Sequence, residues 1–165
     1  MTATVGERLL LQYGTQLAAE GLDAAAIAAR LDAVKDRIRI FARLDTLEYL
    51  KKGGRIGATT AVVGTMLNIK PIISVQDGIV QNVGKSRGPK AADKQLRDLV
   101  AKSGGIDFSK PFCAVYSGLE DDNLKTFLAE STEMLCGTAA PIASVGCVIG
   151  AHVGPGAVAI GYFEN

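Results

Sequence analysis

Two arginines and the only histidine of the chain stand where glycine-rich turns interrupt apolar sequence. Arg55 lies in EYLKKGGRIG, Arg87 in GKSRGPK and His152 in AHVGPG. Free N–H groups at a helix N-terminus favour an anion, and a neighbouring guanidinium adds a bidentate donor for carboxylate or phosphate. An imidazole can donate to the same anion or carry a proton. These residue types predict a site for a negatively charged group.

Each position also has an ordinary structural explanation. The two lysines and two glycines before Arg55 are the usual chemistry of a helix C-terminus, although they leave the arginine unexplained. A lone histidine is most often structural or solvent-facing, but the glycines beside His152 would let the backbone approach a ligand closely. The chain lacks a G-x-x-x-x-G-K-[ST] motif, so the stretch around Arg55 is not a nucleotide P-loop.

Composition narrows the class of protein without naming a function. The 165 residues are enough for one domain, and 18 basic side chains nearly balance 17 acidic ones. This balance argues against non-specific nucleic-acid binding, which needs a concentrated basic surface. No apolar run reaches the ~18 residues of a membrane span, and the N-terminus does not resemble a signal peptide. We therefore expect a cytoplasmic protein.

The cysteines offer little chemistry. Cys113, Cys136 and Cys147 are an odd number without a C-x-x-C pair, so we expect no metal, no cofactor and no disulfide framework. An enzyme that uses Cys136 or His152 is the weakest of the functional hypotheses, because nucleophilic catalysis needs an activating base within hydrogen-bond reach. We expect no catalysis by this chain.

The apolar periodicity predicts the elements that carry these residues. Two N-terminal helices are expected, the first ending at Gly21 and the second beginning near Asp23. RIRIFARL alternates as a half-buried strand does, IGATTAVVGTMLNIK predicts a helix after Arg55, and PIISVQDGIVQNV predicts a hairpin that turns at Asp77-Gly78.

The second half of the chain continues the mixture of strands and helices. KSRGPKAADKQLRDLVAK predicts a helix that opens near Pro89, FCAVYSG a buried strand, and the segment after Ser117 another helix. Capping-box spacing occurs twice, at Asp45/Glu48 and at Ser117/Glu120. The tail predicts two strands, ASVGCVIGAH and GAVAIGYF, which would place His152 at a strand end.

These elements predict an α+β fold, in which about six strands form a mainly antiparallel or mixed sheet with helices on one face. In the last strand, Ala157, Ala159, Gly161 and Phe163 share one side. A face of mostly small side chains leaves room for something to lie against it, either a helix or a ligand.

The stretches LDTLEYLKKGGRIG, LNIKPIISVQDGIV, KSRG and IGAHVGPGAVAIGYF occur in the order in which the bacterial DegV family has them. The chain resembles that family from about Gly6 to Phe163. The family includes fatty-acid-binding subunits that present a fatty acid to a separate kinase. The resemblance implies a lipid-binding carrier whose partners are a long-chain fatty acid and a fatty acid kinase subunit. It also implies a polar end of the acyl site, or kinase-facing rim, formed by Arg55, Arg87 and His152 with Gly54 and Gly154.

The resemblance further predicts how the chain is divided. Residues 1–36 correspond to helices between domains and residues 37–165 to the family's C-terminal α+β domain, while its N-terminal α/β domain has no counterpart. We therefore expect this chain alone to be incomplete for binding and to bind fatty acid weakly or not at all. The alternative is a structural or assembly module that self-associates, as a homodimer or larger oligomer, through a surface which the missing domain would cover.

Overall fold

The computed structural model of the chain describes residues 2–55 and 68–165, and residues 56–67 of the helix predicted after Arg55 lie outside them. The described residues form six α-helices and six strands. In chain order these are α1 Val5–Ala19, α2 Ala24–Val34, β1 Ile38–Arg43, α3 Glu48–Lys52, β2 Ile69–Gln76, β3 Ile79–Arg87, α4 Pro89–Lys102, β4 Cys113–Tyr116, α5 Asp122–Ala129, β5 Ile142–Ser144, α6 Cys147–Val153 and β6 Val158–Phe163.

The strands make one sheet in the order β3-β2-β1-β6-β4-β5. All neighbours are antiparallel except β4 and β5, which run parallel. The C-terminal ends of β1, β3 and β4 therefore meet the beginnings of β2 and β6 along one edge, which we call the mouth edge. The α+β class and the six-stranded, mainly antiparallel sheet are confirmed.

The sheet buries side chains on both faces. Helices α4 and α5 pack on one face, where the core contains Phe41, Leu96, Phe127 and Ile160. On the other face, which we call the cleft face, α1 adds Leu9 to a second core. Helices thus contribute to both faces rather than to one alone. Strand β1 was expected to be half-buried, but it is central, so five of its six residues are buried.

Several local predictions are confirmed. Asp23 caps α2, because its carboxylate accepts the N–H of Ala26. The β2–β3 hairpin turns at Asp77 and Gly78, whose φ angles are 54° and 76°, as a two-residue turn of this kind requires. Helix α4 begins at Pro89, the favoured position for proline in the first turn.

Both predicted capping boxes are wrong. Helix α3 begins at Glu48, whose N–H donates to Oγ1 of Thr46 and not to the carboxylate of Asp45. Helix α5 begins only at Asp122, without a side-chain cap, while the backbone of Ser117 pairs with Ala157 beside β6. Both pairs have the spacing of a capping box, but the first residue of each pairs with a distant residue instead. Asp45 pairs with Lys70, and Ser117 pairs with Ala157.

The tail prediction is wrong in part. The second strand is β6, as expected, but the first is only the three residues of β5. The segment CVIGAHV that follows is helix α6, so His152 lies in the last turn of a helix and not at a strand end. In the parts of the chain that the structure describes, no helix is both long and apolar enough to cross a bilayer.

Candidate functional site

An apolar cleft of about 50 Å³ lies on the cleft face, and its lining surface is apolar throughout. Its floor spans four strands of the sheet. The floor side chains are Ile40, Ala42, Ile73, Val115 and Ala159. Val5 from α1 lines the cleft beside Gly161, while Ile149 and Val153 from α6 line it toward the mouth edge. Such a surface can hold a hydrocarbon and offers no partner to a polar group.

The row of small residues along β6 has two kinds of neighbour. Ala157 and Ala159 line the cleft. Gly161 is covered by α1, since a Cβ at this position would lie 2.7 Å from Val5 Cγ1. The sequence left a helix and a ligand as alternatives for this face, and the structure places a helix at one end of the row and an open cleft at the other.

The end of α3 explains one of the two glycines in LKKGGR. The N–H of Arg55 donates to the carbonyl of Leu50 and the N–H of Gly54 to that of Lys51. This is the Schellman arrangement, and it needs a left-handed residue at Gly54, whose φ is 66°. The predicted helix C-terminus is therefore confirmed, and Gly54 is required by backbone conformation.

The other glycine is required by space. A Cβ on Gly53 would lie 2.0 Å from Nδ1 of His152, so the imidazole occupies the position where any other residue would carry its side chain. The reverse contact also exists, because a Cβ on Gly154 would lie 2.2 Å from Cδ2 of Tyr49. Helices α3 and α6 therefore interlock through two pairs, each formed by an aromatic ring and a glycine. This α3–α6 interlock joins the motifs EYLKKGGRIG and AHVGPG.

Arg55 lies beside the same glycine. Its side chain is exposed, and Nη1 donates to the carbonyl of Gly53 at 3.0 Å. The guanidinium and the imidazole of His152 thus approach Gly53 from two directions. Within the described residues, Nδ1 of His152 is buried and has no hydrogen-bond partner. Arg55, His152, Gly54 and Gly154 are therefore brought to one place at the mouth edge.

Arg87 stands apart from this group. It ends β3 and pairs with Ile69 at the start of β2, so it also lies at the mouth edge. Directly paired residues share a face of the sheet. Ile69 lies on the same face of β2 as Ile73, which lines the cleft. Two strand spacings, about 10 Å, separate β3 from β1. The structure gives Arg87 the same face and edge as His152, but it does not join them in direct contact.

A charged cluster anchors the mouth edge on the opposite face. Arg43 is 1% exposed, and its Nε lies 2.7 Å from Oδ1 of Asp93 on α4. Asp45 pairs with Lys70 at 2.9 Å. Burial raises the pKa of Asp93, and the charges of Arg43 and Arg97 offset only part of that rise. This ion pair fixes the end of β1 against α4, directly before α3.

Sequence reasoning missed the residues that shape the cleft. Val5, Ile149, Val153 and Tyr49 are ordinary apolar or aromatic residues of helices, and no local pattern distinguishes a side chain that lines a cleft from one that fills a core. The only signal that could have pointed to them is the row of small residues on β6, which requires something large opposite.

The described residues contain no group of three or more histidine, cysteine, aspartate or glutamate side chains that could hold a metal ion. Cys113 is buried, and burial raises the pKa of its thiol, which makes it a poor nucleophile. Cys136 and Cys147 are exposed. In the part of the chain that is described, none of the three cysteines forms a hydrogen bond with His152.

Comparison with known proteins gives a family for the whole chain. Residues 1–165 match the family profile described as "Uncharacterised protein, DegV family". A DegV domain-containing protein of Caldanaerobacter subterraneus subsp. tengcongensis is 32% identical over 162 residues, which are 98% of this chain and 57% of that protein. The chain thus spans only a little over half the length of this curated relative.

Solved structures share the fold. A DegV family protein from Thermus thermophilus, whose structure is described as one of fatty acid binding, superposes with a TM-score of 0.81 at 28% identity, over 97% of this chain and 57% of the other. The Fatty Acid Kinase (Fak) B3 protein of Streptococcus pneumoniae, loaded with linoleic acid, superposes with a TM-score of 0.82 at 18% identity, over 95% and 55%.

Proposed function

This chain belongs to the DegV family, and we propose that it is a fatty-acid-binding domain in which the cleft face holds the acyl chain and the mouth edge holds the carboxylate. The observation that carries the proposal is the apolar cleft, which lies over Ala159 and Ala157 and extends toward the mouth edge, where Arg55 and His152 lie. The Thermus thermophilus neighbour supports the ligand class.

The energetics assign different tasks to the two ends. A long acyl chain buries on the order of fourteen methylenes, and at ~0.8 kcal/mol each the gross gain is near 11 kcal/mol before the costs of association. The apolar floor therefore supplies most of the affinity. Arg55, Arg87 and His152, with the backbone at Gly54 and Gly154, orient the head group.

We propose that the chain is a carrier and not a catalyst, and that a separate fatty acid kinase acts on the carboxylate which it presents. The Fak B3 neighbour supports this partner class. Lys51, Arg55, Arg87 and Lys90 are exposed near the mouth edge and form no salt bridge among the described residues. A cationic rim of this kind suits an acidic protein surface or a phosphate donor.

We also propose that residues 37–165 supply one wall of the acyl site, with residues 1–36 as the helices beside it. The chain matches only part of the length of its curated relative, and the cleft measures only about 50 Å³. Both observations support a site with a second wall. The chain alone should then bind fatty acid in the micromolar range or more weakly, because only part of the methylenes is buried. Nanomolar titration of oleate by this chain would contradict the one-wall arrangement.

Replacing Ala159 with leucine should weaken fatty-acid binding at least tenfold, because the larger side chain fills the middle of the floor. Displacement of a fluorescent fatty acid measures the affinity, and thermal unfolding checks that the variant is folded. Ala28, exposed on α2, is the matched control, and Ala28→Leu should leave binding unchanged. Equal affinities for Ala159→Leu and the unmodified chain would remove the cleft as the acyl site.

Replacing His152 with alanine should lower the rate of acyl-phosphate formation at least tenfold in a reaction with ATP, oleate and the fatty acid kinase of the same organism, because the head group loses its donor. Arg87→Ala should have an effect in the same direction. Lys94→Ala is the control, since Lys94 lies on α4 and pairs with Asp98. Unchanged rates for His152→Ala and Arg87→Ala together would show that their assigned role is wrong.

One observation favours the second candidate, an assembly module. Helix α2 has no buried residue, and Leu11 on α1 is 73% exposed. Apolar side chains left uncovered on a helix pair tend to find a partner. Light scattering should then show a mass that rises with concentration and falls back to the monomer value in Leu11→Glu. A monomer at all concentrations would exclude this candidate.

A further inference from the structure

We propose that Val5, in the first turn of α1, is the end wall of the acyl cleft and sets the length of chain that the site accepts. The proposal rests on the proposed function and assigns a specificity-determining role to a residue outside the polar end. The small residues of β6 meet the first turn of α1 at Gly161.

The cleft floor is arranged in three levels along the strand direction. The register of β1 against β6 pairs residues that face the same side, and the turn before β6 extends this pattern by one level. From the mouth edge inward, the levels are Leu44 with Ala157, Ala42 with Ala159, and Ile40 with Gly161. A chain that lies on this floor would therefore pass the levels of Ala157 and Ala159 before it reaches the level of Gly161.

The third level is the one that α1 fills. Cγ1 and Cγ2 of Val5 lie 2.7 and 2.9 Å from the position that a Cβ on Gly161 would take, so the valine rests directly on the glycine backbone. Gly6 allows the same close approach to β1, because a Cβ there would lie 3.1 Å from Cδ1 of Ile40. Val5 is 3% exposed and lines the cleft. The row of small residues thus ends at the glycine on which Val5 packs.

The distance to this wall corresponds to a definite chain length. Leu44 and Ile40 are four residues apart on an extended backbone, which spans about 13 Å at ~3.3 Å per residue. An extended hydrocarbon with bonds of ~1.5 Å advances about 1.3 Å per carbon, so a stretch of about ten methylenes spans the distance from the mouth edge to Val5. With the carboxyl carbon and one further carbon outside, a straight chain of about twelve carbons reaches the wall without displacing it.

The experiment compares saturated straight-chain fatty acids of ten to eighteen carbons by displacement of a fluorescent fatty acid. In the unmodified chain, affinity should rise about fourfold for each added methylene until the tail meets Val5, and then level off. Val5→Ala should move the plateau to chains about two carbons longer, which raises the affinity for the fourteen-carbon acid about sixteenfold. Val5→Ile should move it in the opposite direction.

Leu17→Ala is the matched control, because Leu17 is also buried on α1 but does not line the cleft. It should lower stability and leave the dependence on chain length unchanged. Opposite shifts in the two Val5 variants cannot come from destabilisation of α1, which would weaken all chain lengths by one factor. The pair of variants therefore keeps the test valid if one of them folds poorly.

Two failures are distinguishable. Unchanged length dependence in both Val5 variants, with binding that Ala159→Leu still weakens, would overturn the end wall and leave the proposed function standing. Absence of binding at every chain length in the unmodified protein would overturn the one-wall binding by this chain that is proposed above, and the end wall with it.

Discussion

Replacing Arg43 with methionine should lower the free energy of unfolding by about 3 kcal/mol, the largest effect we expect from one substitution on the face of the sheet that α4 and α5 cover. The change leaves the carboxylate of Asp93 buried without the guanidinium that lies 2.7 Å away. Removing one partner of a buried ion pair typically costs about 3–5 kcal/mol, and Arg97 nearby reduces the cost to the lower end of this range. Chemical denaturation measures the difference.

The loss should depend on pH in a direction that identifies its cause. Burial already raises the pKa of Asp93, and loss of Arg43 should raise it further. An acid whose pKa is higher in the folded state binds more protons when folded, so stability falls as pH rises above the ordinary aspartate range. Arg43→Met should therefore be less damaging at pH 5 than at pH 8, and Asp93→Asn in that background should remove the pH dependence. A loss equal at both pH values would contradict an uncompensated carboxylate.

Replacing Gly154 with alanine should lower the free energy of unfolding by about 3 kcal/mol and should also displace His152 from the mouth edge. Two costs add at this position. With φ 74° and ψ 171°, Gly154 has a conformation that essentially only glycine adopts, which costs any residue with a Cβ about 1–3 kcal/mol, and the added carbon would lie 2.2 Å from the ring of Tyr49, an overpacking of about 1–3 kcal/mol. The imidazole signals of His152 in NMR spectra report the displacement.

Gly54→Ala separates the two costs. Gly54 has a similar φ of 66°, but nothing lies within 4 Å of its Cβ position, so this variant should lose only about 1 kcal/mol. In a double-mutant cycle, Tyr49→Ala should be nearly neutral in the Gly154→Ala background, with a coupling of about 1–2 kcal/mol. Equal losses for Gly154→Ala and Gly54→Ala would mean that the α3–α6 interlock contributes nothing beyond backbone conformation.

Sequence reasoning predicted the elements whose signals are local. The hairpin at Asp77-Gly78 and the start of α2 near Asp23 depend on residues within a few positions of one another, and both are present. Where a local signal competed with a tertiary one, the prediction was wrong. Ser117 has the spacing of a cap, but its backbone pairs with Ala157 beside β6, which lies 40 residues along the chain.

The tail shows the same limit in a different form. CVIGAHV was predicted as strand because valine, isoleucine and cysteine favour an extended chain, yet it forms α6. Contacts between α6 and α3, with Ile149 and Val153 against the cleft, outweigh that weak preference. The error moved His152 from a strand end to a helix, although its position at the mouth edge was unaffected.

For the candidate site, the sequence by itself determined which residues could bind an anion and which face of β6 carries small side chains. Both follow from residue type and from the alternation of a strand, so they need no knowledge of distant contacts. The tertiary structure alone decided why Gly53 has no side chain and which residue ends the cleft. Those properties depend on atoms of Val5 and His152 that meet residues about a hundred or more positions away, and no pattern along the chain records which surfaces will come into contact.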